Sequence, residues 1–413
     1  MELMKNRIRP YAWGSRTAIA ALTGAPSPSP HPQAELWMGA HPGDPSVLES
    51  SEVSLLDAIA RDPRDILGGA VIAAFGDRLP YLFKVLAAAE PLSLQAHPSP
   101  EQAREGFRRE ERAGIPLSAA ARNYKDDQPK PELICALTEF QALCGFREPA
   151  VTVELLTELG VPQLDHYLAV LSGQPDSDGV RALFSSFVTI PPGALGPLLS
   201  AVLAACVERV RDESAFSTEY RTALELGERY PGDPGVLASL LLNRVTLAPG
   251  EALYLAAGNL HAYLSGVGVE LMANSDNVLR GGLTPKHVDV PELMKVLDFT
   301  AGPVTVLTGD AQPDGEIVYP TPAPEFRLSR ITLAGSAGSA GNDRGVSLRH
   351  DGPQVVLVVD GEFELDDGHG SRLTVPRGRS AFLAATDTDV RARGRGTAYR
   401  ATDGLDGPAG PAH

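Results

Sequence analysis

A short repeat constrains the fold of this chain more than any other sequence feature. The stretch GEALYLAAGNLH begins at Gly250 and the stretch GRSAFLAATDTD begins at Gly378. Both follow a proline-containing turn, and both share a glycine, an apolar pair and LAA at equal spacing, with Asp389 standing where the first copy has His261. A turn followed by a short apolar run is typical of a strand. The repeat therefore predicts two β-barrels of the same kind, one near each end of the chain.

The middle of the chain has a different pattern. Stretches such as VTVELLTELG and LGPLLSAVLAACVERVRDE place apolar residues three and four apart, with charged residues on the other side, as amphipathic helices do. We therefore predict a mainly β protein with a helical insertion. The expected organisation is one β domain over residues 1–145 and 243–310, a helical domain over 146–242, a second β domain over 311–403, a flexible linker or hairpin tip over 335–345 and a disordered tail over 404–413.

Charge and composition exclude several classes of protein. The 36 Lys and Arg residues against 52 Asp and Glu residues give a net charge of −16, whereas nucleic-acid-binding proteins carry broad basic faces. The chain has no run of about 18 consecutive apolar residues, and its start lacks the apolar core of a secretory signal. Three cysteines are too few and too sparse for a disulfide framework. We expect a cytoplasmic monomer with reduced thiols and with no nucleic-acid or membrane partner.

Two short stretches place polar side chains on otherwise apolar strands. In an extended SLQAHP stretch, Ser93, Gln95 and His97 share one face. A buried polar face needs hydrogen-bond partners or a ligand, although a paired Gln and His at a strand end is the commoner outcome for such a stretch alone. In KPELICAL, Lys130 and Glu132 share one face, which indicates either a buried ionic site or a surface salt bridge at the strand mouth.

Two further stretches add chemistry. The spacing from Gly250 to His261 matches the second signature element of cupin barrels, with Ala256 where those barrels usually have proline. It predicts a turn, a strand, a second turn and a histidine directed into the barrel. Residues 270–286 carry four charged side chains beside a Gly-Gly pair, and the alternative for this stretch is a solvated loop or structural turn. The four are Glu270, Asp276, Arg280 and Lys286.

Taken together, these stretches predict a metal centre. Two histidines, one carboxylate and one further oxygen or nitrogen ligand suit a divalent ion such as Zn²⁺, although glutamine is an unusual ligand. The candidate ligands are Gln95, His97, Glu132 and His261. Lys84, Lys130, Arg280 and Lys286 add positive charge in an acidic protein, which is what a phosphorylated small substrate requires.

The chain resembles the type I mannose-6-phosphate isomerases. The matching blocks are YAWGS at 11–15, AELWMGAHP at 34–42, LPYLFKVL at 79–86, SLQAHP at 93–98, KPELICALTEFQALCGFR at 130–147, GNLHAYLSGVGVELM at 258–272 and SDNVLRGGLTPKHVD at 275–289. The resemblance implies two cupin-like jelly-roll barrels plus an α-helical domain, with no metal in the C-terminal barrel. It implies one zinc ion per chain on the same four ligands and a catalytic role for Arg280. It also implies a pocket lined by Lys130, Glu270, Asp276, Lys286 and Tyr263, with Trp13, Lys84 and Ser93 as further candidates.

The resemblance also implies an activity, the interconversion of mannose 6-phosphate and fructose 6-phosphate through a cis-enediolate. Many relatives have a histidine where this chain has Pro129. A base at that position cannot operate here, so Glu270 and Asp276 stay open as the group that moves the proton.

Two other functions remain as alternatives at this point. One is a metal-dependent cupin of different chemistry, such as an Fe(II) oxygenase, which does not account for Gln95 or for the cationic side chains. The other is a non-catalytic sugar-phosphate-binding cupin, which would not need both a metal-ligand set and Arg280.

Overall fold

The computed structural model describes residues 1–313, 315–334 and 345–405. Residues 335–344 of the predicted linker and 406–413 of the predicted tail lie outside these ranges. Helix and strand each account for about 30% of the chain, and the strands form two antiparallel sheets. The prediction of β structure with helices is confirmed, and the helical share is larger than we expected.

The strands in chain order are β1 (Glu2–Lys5), β2 (Arg7–Arg9), β3 (Glu35–Met38), β4 (Val47–Leu48), β5 (Tyr81–Ala88), β6 (Leu94–Ala96), β7 (Glu132–Ala136), β8 (Phe140–Phe146), β9 (Leu242–Leu247), β10 (Ala252–Leu255), β11 (His261–Ala273), β12 (Leu279–Gly282), β13 (Asp310–Ala311), β14 (Glu316–Tyr319), β15 (Arg327–Ala334), β16 (Val346–Ser347), β17 (Gln354–Asp366), β18 (Arg372–Pro376), β19 (Ser380–Leu383) and β20 (Arg391–Thr402). The α-helices are α1 (Ala18–Thr23), α2 (Leu55–Arg61), α3 (Pro63–Phe75), α4 (Pro100–Arg112), α5 (Pro149–Glu158), α6 (Asp165–Gly173), α7 (Ser177–Val188), α8 (Pro192–Arg211), α9 (Ser217–Arg229), α10 (Gly235–Ser239) and α11 (Val290–Val296), with a 3₁₀ turn at Pro162–Leu164.

The two sheets repeat one strand order. Sheet I runs β2-β3-β5-β11-β7-β10, with β6, β8, β9 and β12 attached to it. Sheet II runs β13-β14-β15-β20-β17-β19, continues through β1 to β4, and carries β16 and β18 at its side. The two copies of the sequence repeat coincide with equivalent strands, because β10 and β19 each start two residues after a glycine in the left-handed region, Gly250 (φ 88°) and Gly378 (φ 77°).

The helices between β8 and β9 form a layer against sheet I. Leu94 and Ala96 of β6 are fully buried in one cluster with apolar residues of α5 to α10, while Gln95 between them is only half-buried. This alternation is the one predicted for the SLQAHP strand. Helices therefore occupy Pro149 to Ser239, whereas the domain boundaries stay a prediction.

Helix α8 is long and apolar enough to cross a membrane if only length and composition are considered. A single helix of this kind says little, since core helices of globular proteins have the same properties. Here Leu195, Leu199, Val202 and Cys206 of α8 are buried in the helical core cluster. The buried side of α8 thus packs against the other helices of this layer.

The start of the chain links the two sheets. Strand β1 pairs with β19 and β4 in sheet II, whereas β2, which begins two residues after β1 ends, pairs with β3 in sheet I. The amino group of Met1 lies 2.9 Å from an Asp387 carboxylate oxygen. A shared core of Tyr81, Phe83, Leu357 and other apolar residues fills the space between the sheets. The first strand therefore lies across the predicted boundary between the two β domains.

Candidate functional site

Three predicted metal ligands converge inside sheet I. His97 follows β6, Glu132 opens β7 and His261 opens β11, and all three are buried. One ligand atom from each lies within 4.8 Å of the others. The Nε2 atoms of His97 and His261 lie 3.3 and 3.4 Å from the two oxygens of Glu132. The described residues contain no second group of three or more His, Cys, Asp or Glu side chains arranged in this way.

The main chain fixes which nitrogen each histidine presents. His97 Nδ1 lies 2.7 Å from the carbonyl oxygen of Asn277, and His261 Nδ1 lies 3.1 Å from the carbonyl oxygen of Asn259. A carbonyl oxygen can only accept a hydrogen bond, so the proton of each neutral imidazole lies on Nδ1. The Nε2 atom therefore keeps its lone pair. This carbonyl-held arrangement is typical of histidine metal ligands.

The resulting arrangement fits a metal ion. His97 Nε2 is buried and has no hydrogen-bond partner among the described residues. Two nitrogen lone pairs and a carboxylate therefore face one another, which is unfavourable for three acceptors unless a cation lies between them. Imidazole and carboxylate donors are those that zinc commonly binds.

The charge states agree with this assignment. Burial is the main cause that lowers the pKa of His97 to about 4, with Lys130 acting in the same direction and Glu132 opposing it. Burial acts to raise the pKa of Glu132, but His97 and Lys130 hold that pKa well below its usual range. Lys130 Nζ lies 3.3 Å from Glu132 Oε1, so the predicted shared face of these two residues is observed. At neutral pH the site presents neutral His97 and an ionised carboxylate.

Gln95 lies in the same part of the sheet. It is paired with His261 on one side and with Arg280 on the other, and its side chain is half-buried. Its register therefore places it beside a ligand and beside the predicted catalytic arginine. Its role as a fourth ligand stays a prediction.

A second ionic group lies beside the candidate centre. Lys84 Nζ lies 3.1 Å from Glu270 Oε2, and the hydroxyl of Tyr263 donates to Glu270 Oε1 at 2.9 Å. Burial raises the pKa of Glu270, with Lys84 opposing and Glu132 adding to the shift. Burial acts to lower the pKa of Lys84, but Glu270 and Glu35 raise it above its usual value. Both oxygens of Glu270 are thus occupied by side chains of the protein.

The polar stretch after β11 folds over the site. Asn277 is fully buried, and its side-chain amide donates to the carbonyl oxygens of Asp126 and Gln128 at 2.8 and 2.9 Å. Asp276 beside it keeps a side chain that is 59% exposed, and its Oδ1 lies 3.3 Å from His41 Nε2. The His41 hydrogen bond lowers the pKa of Asp276. The stretch is therefore partly a structural turn, which was the alternative interpretation of residues 270–286. Asp276 within it stays exposed.

Arg280 and Lys286 supply positive charge without an internal counter-ion. Arg280 is half-buried and Lys286 is exposed, and neither side chain forms an ion pair with a described residue. Burial lowers the pKa of both, and Arg280 lowers that of Lys286 further. Two neighbouring cations that lack acidic partners suit a bound anion.

The remaining predicted residues border the site at its edges. Trp13 is half-buried against an apolar cluster that includes Tyr263, whose ring lies 6.0 Å from that of His261. Ser93 is half-buried directly before β6. Sequence reasoning missed His41, Glu35 and the carbonyl of Asn259. The AELWMGAHP block held the first two, but no local signal identifies a carbonyl that orients a histidine.

Comparisons with known proteins agree on one family. The family model described as phosphomannose isomerase type I, catalytic domain, matches residues 1–149. The mannose-6-phosphate isomerase of Escherichia coli K12 is 40% identical over 406 residues, covering 97% of this chain and 99% of that protein. The human mannose-6-phosphate isomerase is 35% identical over 383 residues, covering 86% of each chain.

Solved structures give the same result. A point mutant of phosphomannose isomerase from Salmonella typhimurium superposes with a TM-score of 0.88 at 38% identity, covering 98% of this chain and 99% of that chain. A mannose 6-phosphate isomerase described as holo and zinc-bound has a TM-score of 0.87 at 39% identity, covering 97% of this chain and 99% of that one. The similarity therefore extends through both sheets and the helical layer.

Proposed function

The chain belongs to the type I mannose-6-phosphate isomerase family, and on that premise we propose that it interconverts mannose 6-phosphate and fructose 6-phosphate through a cis-enediolate with one zinc ion per chain. The observation that supports this most is the convergence of three buried metal-binding side chains beside two unpaired cations. The proposed zinc ligands are Gln95, His97, Glu132 and His261.

A bound zinc ion would act as a Lewis acid toward the substrate oxygens on C1 and C2. The protein side chains around it have separate tasks. Lys130 lies beside Glu132 and favours its ionised form, which keeps the carboxylate available as a ligand. The Asn277 and Asn259 carbonyls hold the two imidazole rings in the orientation that ligation requires.

Arg280 supplies a fixed positive charge near the reacting atoms. It lies opposite Gln95 in the sheet, on the strand that follows the Asp276 loop. As the proton leaves C2 of mannose 6-phosphate, negative charge develops on the substrate oxygens, and a guanidinium already in place stabilises it without reorganisation.

Asp276 is the better-placed base of the two candidates. Glu270 is 3% exposed, and Lys84 and Tyr263 occupy both of its oxygens. Asp276 is exposed, and its His41 hydrogen bond favours the ionised form that a base requires. A base must reach the proton that it removes. We therefore assign proton transfer between C1 and C2 to Asp276, with His41 orienting its carboxylate.

The substrate phosphate would bind Lys286. The charges of Lys286 and Arg280 lie close enough to perturb each other, and neither has an acidic partner among the described side chains. A dianionic phosphoryl group relieves that repulsion. Lys286 is exposed, so it can reach the phosphate as the substrate enters.

The proposal extends to the architecture. We propose that each sheet closes into a cupin-like jelly-roll barrel, with the zinc site at the mouth of the first and the helical domain inserted beside it. The repeated strand order and the matching left-handed glycines support two barrels of one kind. We also keep the expectation of a cytoplasmic monomer.

A coupled assay tests the activity. Zinc-loaded protein with mannose 6-phosphate should form fructose 6-phosphate, and a chelator should abolish the reaction until zinc is restored. Glucose 6-phosphate is the control substrate, and dissolved oxygen should stay constant. Oxygen consumption, or ligand binding without turnover, would favour one of the alternative cupin functions.

A second assay tests the intermediate. In deuterated water, a proton that passes through a base exchanges at least partly with solvent, so the product should carry deuterium at C1 when mannose 6-phosphate is the substrate. Complete retention of the C2 hydrogen would argue for direct hydride transfer and against the enediolate.

A further inference from the structure

Sheet II carries a polar group at the positions equivalent to Glu132 of the zinc site and to the ionic group beside it. In sheet I, Glu132 pairs with Leu255, and Lys84 pairs with Glu270. In sheet II, the strands in the same order pair Gln354 with Leu383, and Ser329 with Arg400. By strand order and register, Glu132 thus corresponds to Gln354, Glu270 to Arg400, Lys84 to Ser329 and, one strand further, Glu35 to Glu316.

These residues form a polar end to an otherwise apolar interior. Side chains two residues apart on a strand share a face. Ile331, Val356 and Ala398 belong to the buried apolar cluster of sheet II, and one such step along each strand leads to Ser329, Gln354 and Arg400. We call this end the sheet II mouth, defined by Glu316, Arg327, Ser329, Gln354, Arg400 and Thr402.

Arg400 holds the sheet II mouth together. It is 6% exposed, and its guanidinium donates to Glu316 at 3.0 and 3.2 Å and to Gln354 Oε1 at 2.8 Å. The same side chain donates to the carbonyl oxygens of Leu348 and Arg349. These contacts account for all of the donor groups of Arg400 but not for those of its neighbours.

Two buried donors of this group lack acceptors. The Nε2 atom of Gln354, which is fully buried, and the Nη2 atom of Arg327 have no hydrogen-bond partner among the described residues. Leaving a buried donor unpaired is unfavourable, and more so for a charged group. Arg327 also lines a cavity, so an acceptor bound there would pair with its Nη2 atom, whereas Gln354 does not line that cavity.

The charge of the mouth favours an anion. Relative to the zinc site, the carboxylates of Glu132 and Glu270 are replaced by an amide and a guanidinium, and Arg327 takes the position of Leu82. A cavity of about 350 Å³ opens here, and its lining includes Arg327, Arg349, Arg400, Glu316 and His350. His350 is hydrogen-bonded to Asp403 at 2.7 Å. Among the described residues, three guanidinium groups thus meet two carboxylates, those of Glu316 and Asp403, in a cavity of ligand-binding size.

We propose that the sheet II mouth binds the oxyanion group, phosphate or carboxylate, of a small metabolite. The anion lies against Arg327 and Arg349, the two guanidinium groups of the cavity lining that form no ion pair with a described residue. Arginine is suited to this because its planar fork donates two parallel hydrogen bonds to an oxyanion. The duplicated sheet thereby keeps a ligand site at the same register positions, with the charge preference inverted from cation to anion.

Calorimetric titration of the full-length zinc-loaded protein tests the proposal. Inorganic phosphate and, separately, malonate serve as probes, and at least one should give a binding event distinct from the active site. Arg327→Met and Arg349→Met should each weaken that event at least about 10-fold, the scale of losing one charged hydrogen bond. Arg349 is exposed, so this variant tests the site without disturbing the core. Binding of phosphate alone or malonate alone identifies the ligand class.

Two controls separate this site from the others. Lys286→Met should weaken phosphate binding at the active site and leave the new event intact. Arg372→Met removes an equal charge from an exposed arginine of β18 that pairs with Glu364 and Asp366, and should change neither event. The proposal is overturned if neither anion gives a second event, or if that event survives in both Arg327→Met and Arg349→Met. Failure of isomerase activity would leave this test unaffected.

Discussion

At the scale of residues, main-chain atoms decide what the metal-binding side chains can do. In both His97 and His261 the Nδ1 atom is hydrogen-bonded to a backbone carbonyl, so both rings present Nε2 to Glu132. The residue types and the strand alternation were readable from the sequence, because both depend on neighbours within a few positions. The carbonyl of Asn277 is supplied from a distant part of the chain, and no local pattern indicates its direction.

Substitutions of Arg280 and Lys286 should affect different kinetic constants. Arg280→Met is expected to lower kcat at least about 100-fold, since it removes a preorganised charge that stabilises the developing oxyanion. Lys286→Met should mainly raise KM, by about 10-fold, because the phosphate charge is the same in substrate and transition state. Steady-state kinetics with mannose 6-phosphate measure both. As a control, Lys295→Met, which alters an exposed side chain on α11, should change neither constant. An unchanged kcat in Arg280→Met would remove this arginine from catalysis.

At the scale of elements, the residues that cap a helix indicate where it begins and ends. The stretch from Ser99 to Arg112, a serine and a proline followed by a charged run with early acidic residues, predicts a helix. Helix α4 begins at Pro100 and ends at Arg112, and the side chains of Ser99 and Gln102 form a reciprocal cap. Helices α2 and α3 were missed although Ser54 and Asp62 cap them and Pro63 opens the second. Their short apolar runs, broken by Gly68 and Gly69, resemble strands and turns when read without these caps.

The packing of α4 gives a test of stability. Gly106 is buried, and a Cβ added there would overlap the ring of Tyr124, whose hydroxyl donates to Glu292 at 2.8 Å. Gly106→Ala should therefore lower the free energy of unfolding by about 1–3 kcal/mol. Gly69→Ala, directly after the kink at Gly68 in α3, is the control, because no atom lies within 4 Å of its added Cβ, and it should change stability by less than about 0.5 kcal/mol. Urea unfolding measures both, and equal effects would contradict the packing argument.

At the scale of the whole molecule, the two sheets share one strand order but carry different side chains at equivalent positions. The zinc-site positions of sheet I carry two histidines and a carboxylate, whereas Asp389 at the position of His261 is exposed. Gln354 at the position of Glu132 is an amide. The first strand of the chain joins sheet II, so the two sheets are held together by pairing as well as by their shared core.

The zinc stoichiometry follows from this difference. Elemental analysis should find one zinc ion per chain of purified protein, because in sheet II an amide replaces the Glu132 carboxylate and an exposed Asp389 replaces the His261 imidazole. His261→Ala should reduce the zinc content to background, while Asp389→Ala, its equivalent in the second copy, should retain one ion. Two ions per wild-type chain, or full occupancy in His261→Ala, would refute the assignment of the ligands.

The sequence by itself determined the parts that depend on neighbours along the chain. These are the alternation that buries Leu94 and Ala96, the limits of α4, the repeat and the identity of the metal-binding residue types. Only the tertiary structure decided which distant groups meet. It places Glu132 between the two imidazoles and pairs both oxygens of Glu270 with Lys84 and Tyr263. It also leaves the side chain of Asp276 exposed and pairs β1 with strands of sheet II. Most of these choices depend on contacts between residues far apart in the sequence, whose free energies arise only when the whole chain is packed.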